Sequence, residues 1–142
     1  MVLVDTNVLS ELRKPRRNPN VVRWFASVPA DGLYLSVITV GEIAKGIAKQ
    51  RRMGTPSGTL QADALQGWLE GLLTHYAERI LPVDVSIATR WGRLCDAHPQ
   101  LPTDMLIAAT ALDHGLTVAT RNVDHFRACG VPLVDPFRGT RG

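Results

Sequence analysis

The strongest constraint on the fold is a rhythm, because short apolar runs alternate with helical periodicity along the whole chain. Val2–Val4, Leu33–Ser36, Ile80–Val83, Leu116–Thr120 and Val131–Val134 are runs of three to five residues, rich in aliphatic and β-branched side chains. Between them lie stretches whose apolar residues recur every three or four positions. Asn7 to Lys14 is one, stopped by Pro15. A second begins near Asn20 and puts Val21, Trp24, Phe25 and Val28 on one face. Val40 to Arg52 carries Ile43, Ala44 and Ile47 as its stripe, and Leu60 to Glu78 carries Leu65, Trp68, Leu69, Leu72, Leu73 and Tyr76. Ser86 to His98 and the nearly apolar Asp104 to His114, capped by Gly115, complete the set. Strands that alternate with helices predict a three-layer α/β/α domain with a short parallel sheet of four or five strands. Pro82 cannot donate to a ladder, which places the third strand at an edge. In such sheets ligands bind at the carboxyl ends of the strands, where the strand order reverses.

With 142 residues, the chain is expected to form one domain over 1–142 with one hydrophobic core. The Gly54–Thr59 stretch reads as a loop between helices. The first residues carry no basic leader and no long apolar run, so neither a secretory signal nor a membrane span is expected, and a cytoplasmic location is. Cys95 and Cys129 have no CxxC spacing and fit free thiols of a reducing compartment. The four histidines are scattered without zinc-ligand spacing. The net charge of +3 leans mildly toward polyanionic partners, more so if three acids serve as metal ligands.

Those three acids are Asp5, just past the first strand, Glu42 at the start of the helix after the second, and Asp104 at the start of the buried helix. Asn122 and Asp124 follow the fourth strand. Each has an ordinary structural role available. Asp5 suits a helix N-cap, Thr39 to Glu42 fits a capping box, Asp104 complements a helix dipole, and Asn122 could cap the turn before Phe126. Together they mean more, because alternation brings strand ends and helix starts to one edge. Carboxylates gathered there repel one another, and a hard divalent cation removes that penalty. A metal-dependent phosphodiester hydrolase is the chemistry such a cluster supports.

Four segments then resemble, in order, the motifs of PIN-domain ribonucleases of the VapC toxin type, including the FitB-like branch. They are Val4-Asp5-Thr6-Asn7-Val8-Leu9-Ser10, the stretch Ser36 to Ile43 around Glu42, the stretch Pro102 to Ala111 opened by Asp104, and Ala119 to Phe126. They span nearly the whole chain. The resemblance implies a PIN-like domain and a Mg²⁺- or Mn²⁺-dependent endoribonuclease, the toxin of a toxin–antitoxin pair. It implies Asp5 and Asp104 as principal metal ligands, with Glu42 completing the triad or orienting water. Thr6 and Asn7 would support Asp5, Thr120 would add a hydroxyl, and Asn122 would lie close by. It further implies a homodimer held inactive by a cognate antitoxin. The chain departs from the fullest pattern at position 122, where Asn replaces the Asp of some relatives and Asp124 is the nearest acid. The solvated reading of Asp124 is slightly favoured.

Arg13, Lys14, Arg16 and Arg17 flank the first motif, and Lys45, Lys49, Arg51 and Arg52 follow the second. Solvated helix ends explain them as readily as RNA contacts do. Lys45 and Lys49 share a helix face with Glu42 and are the better RNA-binding candidates, with Arg121 inside the fourth motif. Trp24, Trp68 and Trp91 fall on apolar stripes and are expected in the core. Two other functions compete. A haloacid-dehalogenase-type phosphatase would need a second aspartate where Asn7 stands. A catalytically weak PIN-like domain would bind RNA or antitoxin without cutting.

Overall fold

The computed structural model describes residues 1–139. Five strands, β1 (Val2–Val4), β2 (Leu33–Ser36), β3 (Ile80–Leu81), β4 (Thr117–Ala119) and β5 (Leu133–Val134), pair in parallel in the order β3-β2-β1-β4-β5. Seven helices flank them: α1 (Thr6–Glu11), α2 (Pro19–Ser27), α3 (Val37–Arg52), α4 (Pro56–His75), α5 (Val85–Ala97), α6 (Pro102–His114) and α7 (Val123–Phe126). The expected three-layer α/β/α arrangement is therefore the observed one, with the full complement of five strands and β3 at an edge.

Alternation along the central strands explains the layers. Val4, Leu33 and Leu35 join a core with Val8, Leu9, Val21, Ile43, Ile47, Leu69 and Leu72, which belongs to α1–α4. Leu3 and Val118 point the other way, into a core with Ile107, Ala108, Ala111 and Phe126 from α6 and α7. A strand buried on both faces has to be apolar at every position, which is how β1 reads. Leu3 and Val4 are both fully buried, and truncating Leu3 to Ala is expected to destabilise by about 2–5 kcal/mol.

Local chemistry sets the helix starts. Asn18 accepts from the Asn20 N–H at 2.9 Å to open α2, Thr55 accepts from Gly58 at 3.0 Å to open α4, and Asp84 accepts from Ile87 at 2.9 Å to open α5. Gly115, in the left-handed region at φ 67°, closes α6 as expected.

Several details differ from the sequence expectations. Helix α3 begins at Val37, because the buried Ser36 accepts from the Ile38 N–H at 3.0 Å and takes the cap position from Thr39. The capping box from Thr39 to Glu42 does not form, and Glu42 lies in the second turn rather than the first. Helix α4 begins at Pro56, so the connection after α3 is much shorter than Gly54–Thr59 suggested. Ala44 and Leu73 are exposed, since Ile43/Ile47 and Leu69/Leu72 fill the shared core without them. Trp24 and Trp68 pack against the core as expected, and the half-buried Trp91 donates its indole N–H to the Pro102 carbonyl at 2.9 Å.

Candidate metal centre

The chain runs outward from β1 through β2 to β3, then returns to place β4 on the other side of β1. The strand order therefore reverses between β1 and β4, and a crevice opens beyond their carboxyl ends. Asp5 follows β1 there and Thr120 follows β4. The Asp5 N–H donates to the Ala119 carbonyl at 2.9 Å, which continues the ladder to the lip of the crevice.

Asp5 caps α1 and is only 6% exposed. Its Oδ1 accepts from the Thr6 N–H and its Oδ2 from the Thr120 hydroxyl, both at 2.8 Å. Burial pushes its carboxyl up from 3.8 to about 6; the two hydrogen bonds oppose that rise, and the charges of Asp104 and Glu42 add to it. Three sequence-distant carboxylates thus share one electrostatic neighbourhood.

Glu42 reaches the site from α3. It is exposed, and its Oε1 accepts from the Thr6 hydroxyl at 2.8 Å. Thr6 therefore serves two acids, one with its backbone and one with its side chain. Asp104 arrives from the first turn of α6, 20% exposed, with its Oδ2 at 2.7 Å from Nδ1 of His125 on α7. Burial raises the Cys129 thiol pKa, and the Asp104 charge adds to the rise. Between α3 and α6 lies an open cleft of about 380 Å³ lined by Ile38, Glu42, Lys45, Thr103 and Leu106.

The remaining candidates stand around this centre in different relations to it. Asn7 accepts from the Arg121 N–H at 3.2 Å, so it ties the loop after β4 to α1. The Arg121 guanidinium lies over the Phe137 ring, 4.5 Å from its centroid. The Asn122 N–H donates to the Thr120 hydroxyl at 3.0 Å, but its side chain does not cap α7. Asp124 is 82% exposed and pairs with Arg127 at 3.2 Å. Lys45 borders the cleft, whereas Lys49 is exposed on α3 outside its lining.

Sequence reasoning assigned nothing to His125, although it stands inside the fourth motif. Its partner is 21 residues away, and only the orientation of α7 against α6 brings the two together.

Among the described residues, no three His, Cys, Asp or Glu side chains stand close enough to enclose an ion by themselves. An all-oxygen set that leaves coordination positions to water nevertheless suits Mg²⁺, which dehydrates reluctantly and is commonly held by one or two carboxylates. The Asp5 carboxyl is raised chiefly by burial, and the charges of Asp104 and Glu42 add to the cost of ionising it, a cost that a bound cation would offset. The residues fit such an ion.

The PIN-domain family profile matches residues 2–131. The chain belongs to the PIN-domain family. Among its relatives, Toxin FitB of Neisseria gonorrhoeae is 37% identical over 142 residues, covering 96% of this chain and 99% of FitB. A VapC ribonuclease of Sinorhizobium fredii is 36% identical, covering 96% of this chain and 98% of its own length. The solved structure of FitAcB from Neisseria gonorrhoeae superposes with a TM-score of 0.83 at 36% identity, over 97% of this chain and 99% of that one. VapBC-1 from nontypeable Haemophilus influenzae, at 24% identity and a TM-score of 0.68, shares the fold. This PIN domain thus resembles FitB and VapC proteins over nearly its whole length.

Proposed function

We propose that this PIN domain is a Mg²⁺- or Mn²⁺-dependent endoribonuclease, the toxin of a toxin–antitoxin pair, with Asp5, Glu42 and Asp104 as its metal ligands and catalytic carboxylates. The observation that carries this reading is the convergence of the three acids at the strand-order reversal, with the buried Asp5 carboxyl raised to about 6. When bound, the ion would activate water and offset the charge that develops on a phosphodiester. The chain's own part is positioning. Thr120 and the Thr6 N–H fix both oxygens of Asp5, the Thr6 hydroxyl holds one oxygen of Glu42, and His125 holds one oxygen of Asp104. That leaves the second oxygen of Glu42 to orient the attacking water. Lys45 on the cleft wall, Lys49 and Arg121 would contact the RNA backbone, with Asn7, Asn122 and Asp124 in supporting positions around the loop after β4.

The relatives' names and the toxin–antitoxin complexes in which similar structures were solved support an antitoxin partner, and its seat over the cleft is part of the proposal. A cytoplasmic homodimer is part of the same proposal. No helix among the described residues is long and apolar enough to cross a membrane. Membership of the PIN family displaces the phosphatase reading, and Asn7 has a structural task in its bond to Arg121.

The test is cleavage of single-stranded RNA by the purified chain in Mg²⁺ or Mn²⁺. EDTA should stop it and added Mn²⁺ restore it; cleavage indifferent to chelation contradicts the metal role. The competing reading is a catalytically weak PIN-like domain that binds RNA or antitoxin without cutting. RNA binding with no product under any divalent ion would establish that alternative.

A further inference from the structure

A second concavity lies on the same edge of the sheet and takes no part in the metal centre. It is a pocket of about 230 Å³ between α2 and the segment after β5, walled by Asn20, Arg23, Trp24, Ser27, Asp135 and Arg138. Strand register locates it. Ala119 of β4 pairs with Val134 of β5, and the Thr120 N–H donates to the Val134 carbonyl at 3.0 Å. Asp135 therefore stands level with Thr120, the residue that holds Asp5. Two strand spacings separate β5 from β1, roughly 10 Å in all.

The pocket is cationic once its internal bonds are accounted for. The Asp135 carboxylate accepts from the Phe137 N–H at 3.0 Å and faces Arg138 Nε at 3.5 Å. Arg23 donates to the side-chain oxygen of Asn20 and has no carboxylate partner among the described residues. Asn20 is held in turn, since its amide donates to the Phe137 carbonyl at 2.9 Å and so ties α2 to the far wall. Arg121 lies over the Phe137 ring and also bonds Asn7 through its backbone, so it stands between this pocket and Asp5. Arg23 and Arg138 thus line the pocket, and Arg121, over the Phe137 ring, is a third guanidinium next to the segment after β5.

We propose that this pocket is a subsite for a backbone phosphate of single-stranded RNA, one or two nucleotides from the bond to be cut, with Arg23 and Arg138 as its ligands. The proposal rests on the ribonuclease reading and deepens it. Guanidinium forks match the planar oxygens of a phosphodiester, and an exposed pocket with surplus positive charge gains affinity by counterion release. The subsite fixes where along a strand the metal centre falls, so it governs binding and register and not the chemical step.

The test compares the parent with the double variant Arg23→Ala/Arg138→Ala on two single-stranded oligoribonucleotides, with affinities read by fluorescence anisotropy in EDTA. One oligonucleotide extends several nucleotides to either side of the cleavage site; the other is cut back so that no flanking phosphate reaches the pocket. The double variant should bind the long strand about tenfold more weakly, with a salt slope shallower by about 0.7 per lost phosphate contact. It should bind the short strand like the parent, keep the parent's Mn²⁺ affinity, and show a raised KM with unchanged kcat. Equal affinity and equal salt slope on the long strand overturn the subsite. Weaker binding of the antitoxin with RNA binding intact also overturns it and gives the pocket to the protein partner. A parent that neither binds nor cuts RNA overturns the ribonuclease reading itself.

Discussion

Asp5 sits at the buried end of β1, 6% exposed, with both oxygens engaged, whereas Glu42 stands exposed on α3 and gives one oxygen to Thr6. The two acids belong to one proposed site, yet the fold treats them oppositely. Burial outweighs the two hydrogen bonds and, with the nearby acids, raises the Asp5 carboxyl from 3.8 to about 6, which corresponds to about 3 kcal/mol of stability withheld when it ionises. Water screens the exposed Glu42. A buried, fully bonded acid makes a rigid and costly ligand, while an acid on the rim can adjust to substrate. The fold concentrates strain at the strand end and leaves adaptability to the helix.

The largest effect that sharpens this contrast is Asp5→Asn. It should reduce RNA cleavage by about three orders of magnitude, since several kcal/mol of charge stabilisation disappear with the ligand. The same substitution should stabilise the metal-free fold at pH 7.5 by about 1–3 kcal/mol in urea titration. Glu42→Gln should also impair cleavage but shift stability by less than about 0.5 kcal/mol. Destabilisation by Asp5→Asn breaks the contrast.

The next effect is on pH. A carboxyl whose folded value is raised binds its proton more tightly in the native state than in the unfolded chain. Its stabilising contribution is complete below 3.8 and is lost as pH rises through about 6. The parent should therefore lose about 2 kcal/mol relative to Asp5→Asn between pH 4 and pH 7, measured as the difference in unfolding free energy. A pH-independent difference contradicts the burial argument.

Thr120→Val removes a buried hydroxyl that donates to Asp5 and accepts from the Asn122 N–H. A hydrogen bond to a charged group contributes about 1.5–3 kcal/mol, so the Asp5 carboxyl should titrate higher still, visible by NMR, and Thr120→Ser should rescue it. His125→Ala should weaken Mn²⁺ binding by about 10–100-fold with stability nearly unchanged, since the imidazole is 43% exposed and acts by holding Asp104. The smallest effect is Lys45→Ala, a few-fold rise in KM that fades at high salt.

The sheet was legible because β1 and β4 are apolar at successive positions, a pattern that only burial on both faces requires. The edge placement of β3 followed from Pro82 alone. The start of α3 was placed too late, near Val40, because Thr39 is a good cap; Ser36 takes that position by lying where β2 ends, and the Thr39 hydroxyl is left buried without a partner among the described residues. The exposure of Ala44 and Leu73 depends on how α3 and α4 rotate against each other, which periodicity within one helix does not fix. Asp5, Glu42 and Asp104 stood out by their positions after strands and at helix starts, and the motif resemblance added Thr6 and Thr120. His125 and the Arg23–Arg138 pocket were hidden because each is made by packing between segments far apart in sequence.

The central claim is that Asp5, Glu42 and Asp104 form one divalent-metal site, and calorimetric titration of the purified chain with Mn²⁺ tests it most directly. The account predicts saturable binding that falls sharply in Asp5→Asn and in Asp104→Asn, falls less in Glu42→Gln, and raises the melting temperature of the parent as Mn²⁺ increases. Mn²⁺ binding of equal strength in the parent and in Asp5→Asn, or none in the parent, contradicts it.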